Sequence, residues 1–268
     1  RVYVGTGQNY SRPASNSSDS VIAFNMDSGA IEWIMQTTDN DAFTMACTTA
    51  VGHPNCPDPG PDLDIGASVL NVTLSSGKDI LVAGTKGGVV FALDPDAEGK
   101  VLWQTRVGRG GALGGVHWGL SFAGDNAFVP VPGRATGLEG EEGRQPGLHA
   151  IDMNTGQSIW YAEALQRCEA GDRTCLDVYS APPSSTADVV VAGALNGHLF
   201  AHDQANGAVL WEYDTVQEFS TVNEVPAQGG AIDSAGPVFS GDYMIVNSGY
   251  ATFGQLPGNA LLVFKLPR

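Results

Sequence analysis

Positive charge is scarce in this sequence: 13 Lys and Arg face 29 Asp and Glu, a formal balance of −16 over 268 residues. Such a chain repels phosphate backbones and anionic lipid, which argues against nucleic acid and charged membrane surfaces as partners. There is no apolar run of about 18 residues, so no segment is long enough for a bilayer-spanning helix. The chain opens at Arg1 inside a strand-like stretch, with neither initiator Met nor signal peptide. It therefore reads as a piece cut from within a longer protein. Cysteine is sparse too, at four, in two local pairs: Cys47 with Cys56 and Cys168 with Cys175. Neither pair has CxxC spacing and no histidine cluster accompanies them, which argues against zinc. Two short-loop disulfides are the expectation, and with them an oxidising, periplasmic or secreted location; free buried thiols are the alternative. No CxxCH occurs, so the chain carries no c-type haem motif.

Sustained helical periodicity is also missing, and repetition takes its place. Four segments align: "VIAFNMDSGAIEW" (21–33), "VFALDPDAEGKVLW" (90–103), "LHAIDMNTGQSIW" (148–160) and "LFAHDQANGAVLW" (199–211). Each places Ala, then Asp or Asn, then a Gly turn, then Trp. The tryptophans Trp33, Trp103, Trp160 and Trp211 are spaced 70, 57 and 51 apart, a unit of about fifty residues with insertions. "LLVFKLPR" (261–268) begins a fifth copy. A β-branched strand precedes each copy, as in "DILVAGT" and "DVVVAGA". One repeat is then a four-stranded antiparallel meander, and radial repetition of such sheets predicts an all-β propeller. A sandwich is the runner-up, but it has no need of the same sentence four times. Blades are expected near 1–38, 66–108, 119–165, 181–216 and 232–268, within one partial propeller spanning 1–268.

Strands in a meander alternate direction, so B–C and D–A loops share one rim. The long connections (8–20, 37–66, 105–118, 132–147, 163–181 and 214–234) all fall in those two classes. Long loops on a rigid scaffold are where binding and catalysis concentrate.

The Ala-x-Asp-x-x-x-Gly-x-x-x-Trp sentence resembles the tryptophan-docking motif of quinoprotein dehydrogenases. "VYVGTGQNYS", "GPDLDIG", "GTKGGVVFALD", "GGVHWG" and "GGAIDSAGPVFSGDYMIVNSGY" together look like the polyvinyl-alcohol-dehydrogenase branch of that family, across essentially the whole chain. The resemblance implies an eight-bladed ring, of which about five blades are visible, with pyrroloquinoline quinone (PQQ) and calcium as cofactors. It also implies an alcohol substrate, polymeric or secondary alcohols among them, and a cytochrome c-type or dye electron acceptor.

In that family the carboxamide directly after Gly-Thr-Gly ligates calcium. Gln8 holds that place here and Asn9 stands one step on. Asn9 is preferred, because a loop can re-aim it and asparagine is the family's residue type, but Gln8 stays open. "GPDLDIG" puts Asp62 on the family's catalytic base, beside the metal, and Asp64 on a second acid. Lys86 sits where the family keeps a cation that donates to the quinone oxygens. His117 would orient cofactor or substrate, and Trp118, the one tryptophan outside the repeat, would wall the cofactor pocket. Gly229 and Gly230 are expected to let backbone approach a flat ring, with Asn247 at the pocket edge.

Two other readings remain. A non-catalytic propeller of the outer-membrane assembly lipoprotein type would use the rim for docking, yet would not need these acids and Lys86 together. A lyase or glycosidase using Asp62 and Asp64 would want its acids farther apart.

Overall fold

Twenty strands and one short 3-10 turn (Met45–Thr48) make up the regular structure of the computed structural model. It describes residues 1–48, 53–133 and 146–265. The expected 132–147 loop therefore lies largely outside the described residues, as do the last three positions of the fifth copy. The strands form consecutive antiparallel meanders. The first sheet is β1 (Val2–Gly5), β2 (Ser20–Phe24) and β3 (Ile31–Gln36). The second is β4 (Leu70–Thr73), β5 (Asp79–Gly84), β6 (Val89–Asp94) and β7 (Lys100–Arg106). The third is β8 (Ser121–Ala123), β9 (Asn126–Val131), β10 (Gly147–Asp152) and β11 (Ser158–Glu163). The fourth is β12 (Ser184–Ser185), β13 (Val189–Gly193), β14 (His198–Asp203) and β15 (Val209–Asp214). A hairpin of β16 (Glu218–Phe219) and β17 (Ala227–Gln228) leads to a last sheet of β18 (Val238–Ser240), β19 (Tyr243–Ser248) and β20 (Ala260–Lys265).

The repeat acquires a physical reason in the strand registers. Its alanine lies directly opposite its tryptophan in every copy: Ala23 with Trp33, Ala92 with Trp103, Ala150 with Trp160, Ala201 with Trp211. A register shift follows each alanine immediately. The small residue leaves room for the indole across the strand pair, and the bulge adds local twist at the same place.

The repeat's glycine completes the device. Gly99 adopts φ +71°, and a Cβ there would stand 2.6 Å from the Trp33 ring. Gly156, in the Met153–Gln157 turn, has φ +74° and faces Trp103 at 2.7 Å in the same sense, and Gly207, at φ +75°, faces Trp160 at 2.5 Å. Both backbone conformation and closeness demand glycine at these turns. The indole nitrogens of Trp103 and Trp160 donate to the carbonyls of Met153 (2.8 Å) and Gln204 (2.9 Å). Each tryptophan thus fastens one sheet to the turn of the next. Trp211 differs: it is 38% exposed and rests on Tyr213 and Phe264.

The chain divides into two compact units. Arg1–His117 with Gly133–Gln145 and Met153–Gln157 forms the first; Trp118–Pro132, Pro146–Asp152 and Ser158–Arg268 form the second. In the first unit Val21, Ala23 and Trp33 pack on Ile65, Leu81, Ala83, Phe91 and Leu93. The second unit has two such layers, one around Phe128, Trp160, Tyr179 and Phe200 and one around Leu199, Ile232 and Val246. Both expected disulfides are formed, Cys47–Cys56 and Cys168–Cys175. No helix among the described residues is long and apolar enough to cross a membrane.

Candidate active site

The first unit gathers three of the sequence motifs at one point. β1 ends at Gly5, whose Cα lies so close to Ile65 that a Cβ would meet its Cγ2 at 2.5 Å. Thr6 then ties back to β2, its amide donating to the Ser20 carbonyl (2.9 Å) and its hydroxyl to the Ser17 carbonyl (2.7 Å). This holds "GTGQN" against the incoming 60–66 segment, and the Gln8 amide donates to Asp64 Oδ2 at 3.3 Å. Residues 62–64 in turn run along the β5–β6 turn, where the Lys86 amide donates to the Asp64 carbonyl (2.8 Å) and that of Gly87 to the Leu63 carbonyl (3.2 Å).

The Lys86 ammonium bridges the two acids of "GPDLDIG", 3.1 Å from Asp62 Oδ1 and 3.1 Å from Asp64 Oδ1. Both carboxylates are buried, at 3% and 4% exposure, so this ion pair is largely out of water. Burial pushes the Asp62 carboxyl above its ordinary range; the Lys86 charge opposes the rise and Asp64 adds to it. Burial alone would lower the Lys86 pKa, but Asp64 and Asp62 outweigh it and leave the ammonium held more tightly than usual. Asp62 also sits at φ +59°, a left-handed backbone that aspartate tolerates at some cost.

The two carboxamides separate clearly. Asn9 Oδ1 accepts from the backbone amide (3.0 Å) and hydroxyl (3.3 Å) of Ser15, which spends it on closing the 9–15 loop. Gln8 donates its Nε2 to the Phe43 carbonyl at 3.1 Å, and its backbone amide is the group that meets Asp64. Asn9 thus serves its own loop with the oxygen it would offer a cation, while Gln8 is the residue whose backbone meets Asp64. His117 passes over Gly66, where a Cβ would stand 2.6 Å from its carbonyl. Burial, with the Lys86 charge second, lowers its imidazole to about 4, so it is neutral at physiological pH.

Trp118 belongs to the second unit. There it meets Tyr250 edge-on at 6.2 Å and helps satisfy Asp233. That buried acid is also bonded by Gln255 Nε2 (3.0 Å) and the Ser234 amide (2.9 Å), yet burial still raises its pKa. Gly229 and Gly230 are packed against chain: a Cβ would fall 1.8 Å from the Thr215 carbonyl and 2.4 Å from that of Leu256. In the direction of a side chain their closeness is to neighbouring backbone. Asn247 is exposed and lines an open cleft of about 350 Å³ with Asp233, Tyr250 and Asn259.

Two functional candidates escaped the sequence reading. Asp19, just before β2, and Asp41, in the 37–66 loop, are buried at 0% and 1% exposure. Burial pushes the Asp19 carboxyl up to about 7, against the pull of the Ser18 side chain, with the charges of Asp41, Asp64 and Asp62 adding to the rise. The available signal was position: "SSDS" sets an acid just before β2 and "TDND" sets acids just after β3, at the same end of that strand pair.

A hard cation near Asp62 would find oxygen donors only, from Asp62, Asp64 and Gln8, a set that suits calcium in kind. Among the described residues no three His, Cys, Asp or Glu side chains are grouped at metal-binding distance. Backbone oxygens or waters would have to complete the shell. Lys86 is a buried ammonium of the right sign for an anionic quinone.

Known proteins place this architecture. A quinohemoprotein alcohol dehydrogenase from Pseudomonas putida superposes with TM-score 0.62 at 16% identity, over 98% of this chain and 46% of that one. BamB from Moraxella catarrhalis superposes with TM-score 0.54 at 18% identity, over 97% and 60%. These likenesses identify the fold as a β-propeller. In sequence, the chain is 34% identical to a polyvinylalcohol dehydrogenase of a Pseudomonas species, over 99% of this chain and 42% of that protein. It is also 34% identical to the polyvinylalcohol dehydrogenase of Sphingopyxis, over 93% and 39%. The chain thus spans about two fifths of the length of these curated relatives. Residues 86–252 match the family model described as outer membrane protein assembly factor BamB. With that match over more than half its length, the chain belongs to this family of quinoprotein-type propeller repeats, and within it resembles the polyvinyl-alcohol-dehydrogenase branch.

Proposed function

We propose that this chain is part of an exported alcohol oxidoreductase that uses PQQ and a hard cation, calcium by the chemistry of its donors. The observation that carries the reading is the buried Asp62–Lys86–Asp64 triplet at the Gln8 turn. The two relatives at 34% identity, both polyvinylalcohol dehydrogenases, support an alcohol substrate, polymeric or secondary alcohols included. A 30% identical segment of a butanol dehydrogenase named for cytochrome c supports a cytochrome acceptor. The two disulfides suit an oxidising compartment, periplasmic or extracellular.

When bound, the quinone supplies the hydride acceptor and the cation polarises its carbonyl. The protein's part is proton and charge. Asp62 takes the hydroxyl proton; burial strengthens it as a base, and Lys86 keeps it ionised until it is needed. Lys86 remains charged throughout, because two carboxylates face it, and can stabilise negative charge gathering next to it. Asp64 positions both partners, through Lys86 and the Gln8 amide. His117, neutral, can accept or donate one hydrogen bond without adding charge.

The family model's description favours a second reading, a docking scaffold. Its match covers residues 86–252, so Gln8, Asp62 and Asp64 fall outside the matched span. One experiment separates the two: alcohol-dependent dye reduction by the full-length protein supplied with PQQ and calcium, with PQQ binding followed by absorbance. Activity that collapses in Asp62→Asn while PQQ still binds supports the oxidoreductase. Failure to bind PQQ, with no alcohol-dependent dye reduction, leaves the scaffold; full activity in Asp62→Asn removes Asp62 as the base.

A further inference from the structure

Asp19 is in an unusual position for an aspartate. It is 0% exposed, sits at φ +52°, and, the pull of the adjacent Ser18 side chain apart, neither carboxylate oxygen has a donor in hydrogen-bond geometry. The adjacent Ser18 hydroxyl is spent elsewhere, on the Ser15 carbonyl at 3.1 Å. The Asp19 backbone is fixed on both sides: its amide donates to the Gly7 carbonyl (3.1 Å), and its carbonyl accepts from the Thr37 amide (2.8 Å) and hydroxyl (2.6 Å). The side chain is therefore held in place with nothing to bind.

Asp41 is its foremost electrostatic neighbour. One of its oxygens, Oδ2, accepts from the Leu63 amide at 2.7 Å, while Oδ1 is buried and without a donor. Gly60 packs against that same oxygen so tightly that a Cβ would meet it at 2.4 Å. The loop thus closes over Asp41 without satisfying it. The nearby cation, Lys86, is shared between Asp62 and Asp64. Arg12 pairs outside, with Asp58. Four buried acids set against one ammonium leave a surplus of negative charge, and a buried carboxylate without a partner is among the most costly groups in a protein interior.

We propose that Asp19 and Asp41 form a binding site for a hard divalent cation of the calcium class, held under the disulfide-closed 37–66 loop. Its protein ligands would be the two Asp19 oxygens and Asp41 Oδ1. Calcium accepts carbonyls and water for the rest of its roughly six to eight oxygens, so two carboxylates suffice to anchor it. None of these residues belongs to the Asp62–Lys86–Asp64 triplet, and the inference does not depend on any quinone. Because Asp41 also holds Leu63 next to Asp62, the ion would tie the loop carrying the triplet to the end of β2. Its role would be to order the site rather than to react.

The test uses the full chain, stripped of metal and without quinone. Calcium titrated into it should bind and raise Tm. Asp19→Asn and Asp41→Asn should each weaken that binding at least tenfold and abolish the Tm shift, while Asp79→Asn, at an exposed acid on β5, keeps both. Should either variant fail to fold, manganese added to the wild-type chain should broaden the amide resonances of residues 18–20 and 41–43. Absence of any calcium-dependent Tm shift, a shift untouched by both substitutions, or broadening confined to other residues would overturn the assignment. Any of these outcomes would leave a proton as what satisfies Asp19.

Discussion

Lys86 carries two neighbours that cannot stay charged in the interior without it. Removing the ammonium while keeping the stem, as in Lys86→Met, leaves Asp62 and Asp64 buried and unpaired. Loss of one partner from a buried pair costs on the order of 3–5 kcal/mol, and the chain should lose about that much in urea unfolding at pH 7. Acidification should recover part of it, since protonating the acids removes the unpaired charge. His117 has the opposite sign. Its folded imidazole is lowered to about 4, so between there and its unfolded value the unfolded chain takes up the proton and the folded chain does not. Stability contributed by the neutral ring is therefore complete above about 6.5 and lost as pH falls toward 4, by at most about 3 kcal/mol. A His117→Gln variant should show a correspondingly smaller drop between pH 7 and pH 4.5 than the wild type. Equal drops would mean that the ring is protonated freely. The residue types at these positions were legible in the sequence; their pairing was not. That Asn9 would spend its oxygen on the 9–15 loop was a matter of three-dimensional closure around Ser15.

At the level of elements, the repeat is a fastening device whose parts have separable costs. Gly29, Gly99 and Gly156 occupy the same turn in successive copies, all with positive φ near 71–74°. Gly29 has nothing within 4 Å, whereas Gly99 and Gly156 lie against an indole. Gly29→Ala should therefore cost only the backbone penalty, about 1–2 kcal/mol. Gly99→Ala and Gly156→Ala should add an overpacking cost of about 1–3 kcal/mol. Thermal melts of the three variants compare them directly, and equal losses would show that the indoles give way. This much was written in the sequence, because a turn glycine, a facing alanine and a tryptophan are local requirements of a bulged strand pair. The same cannot be said of Gly229 and Gly230. There the glycine types were legible, but the nearness of the Thr215 and Leu256 backbone was not, because those segments are brought up only by the fold.

Across the whole molecule, the formal charge of −16 works against compaction. Screening shortens the reach of that repulsion from about 30 Å at 0.01 M salt to about 8 Å at 0.15 M. Tm should rise over this range, by a few degrees, with sodium or potassium chloride alike; a fall would mean that surface ion pairs such as Arg167–Glu212 dominate. The strand pattern, the meander and the tryptophan repeat were determined by the sequence alone, since each depends on residues close together in the chain and on the two-residue period of a strand. The disulfide partners followed from spacing for the same reason. The tertiary structure alone decided which acids meet which cation, that Asn9 serves its own loop, and that Asp19 and Asp41 are buried, with Asp41 Oδ1 left without a donor. The physical reason is that burial belongs to the folded chain: an acid beside a strand end is an ordinary solvated group until a loop from forty residues away closes over it.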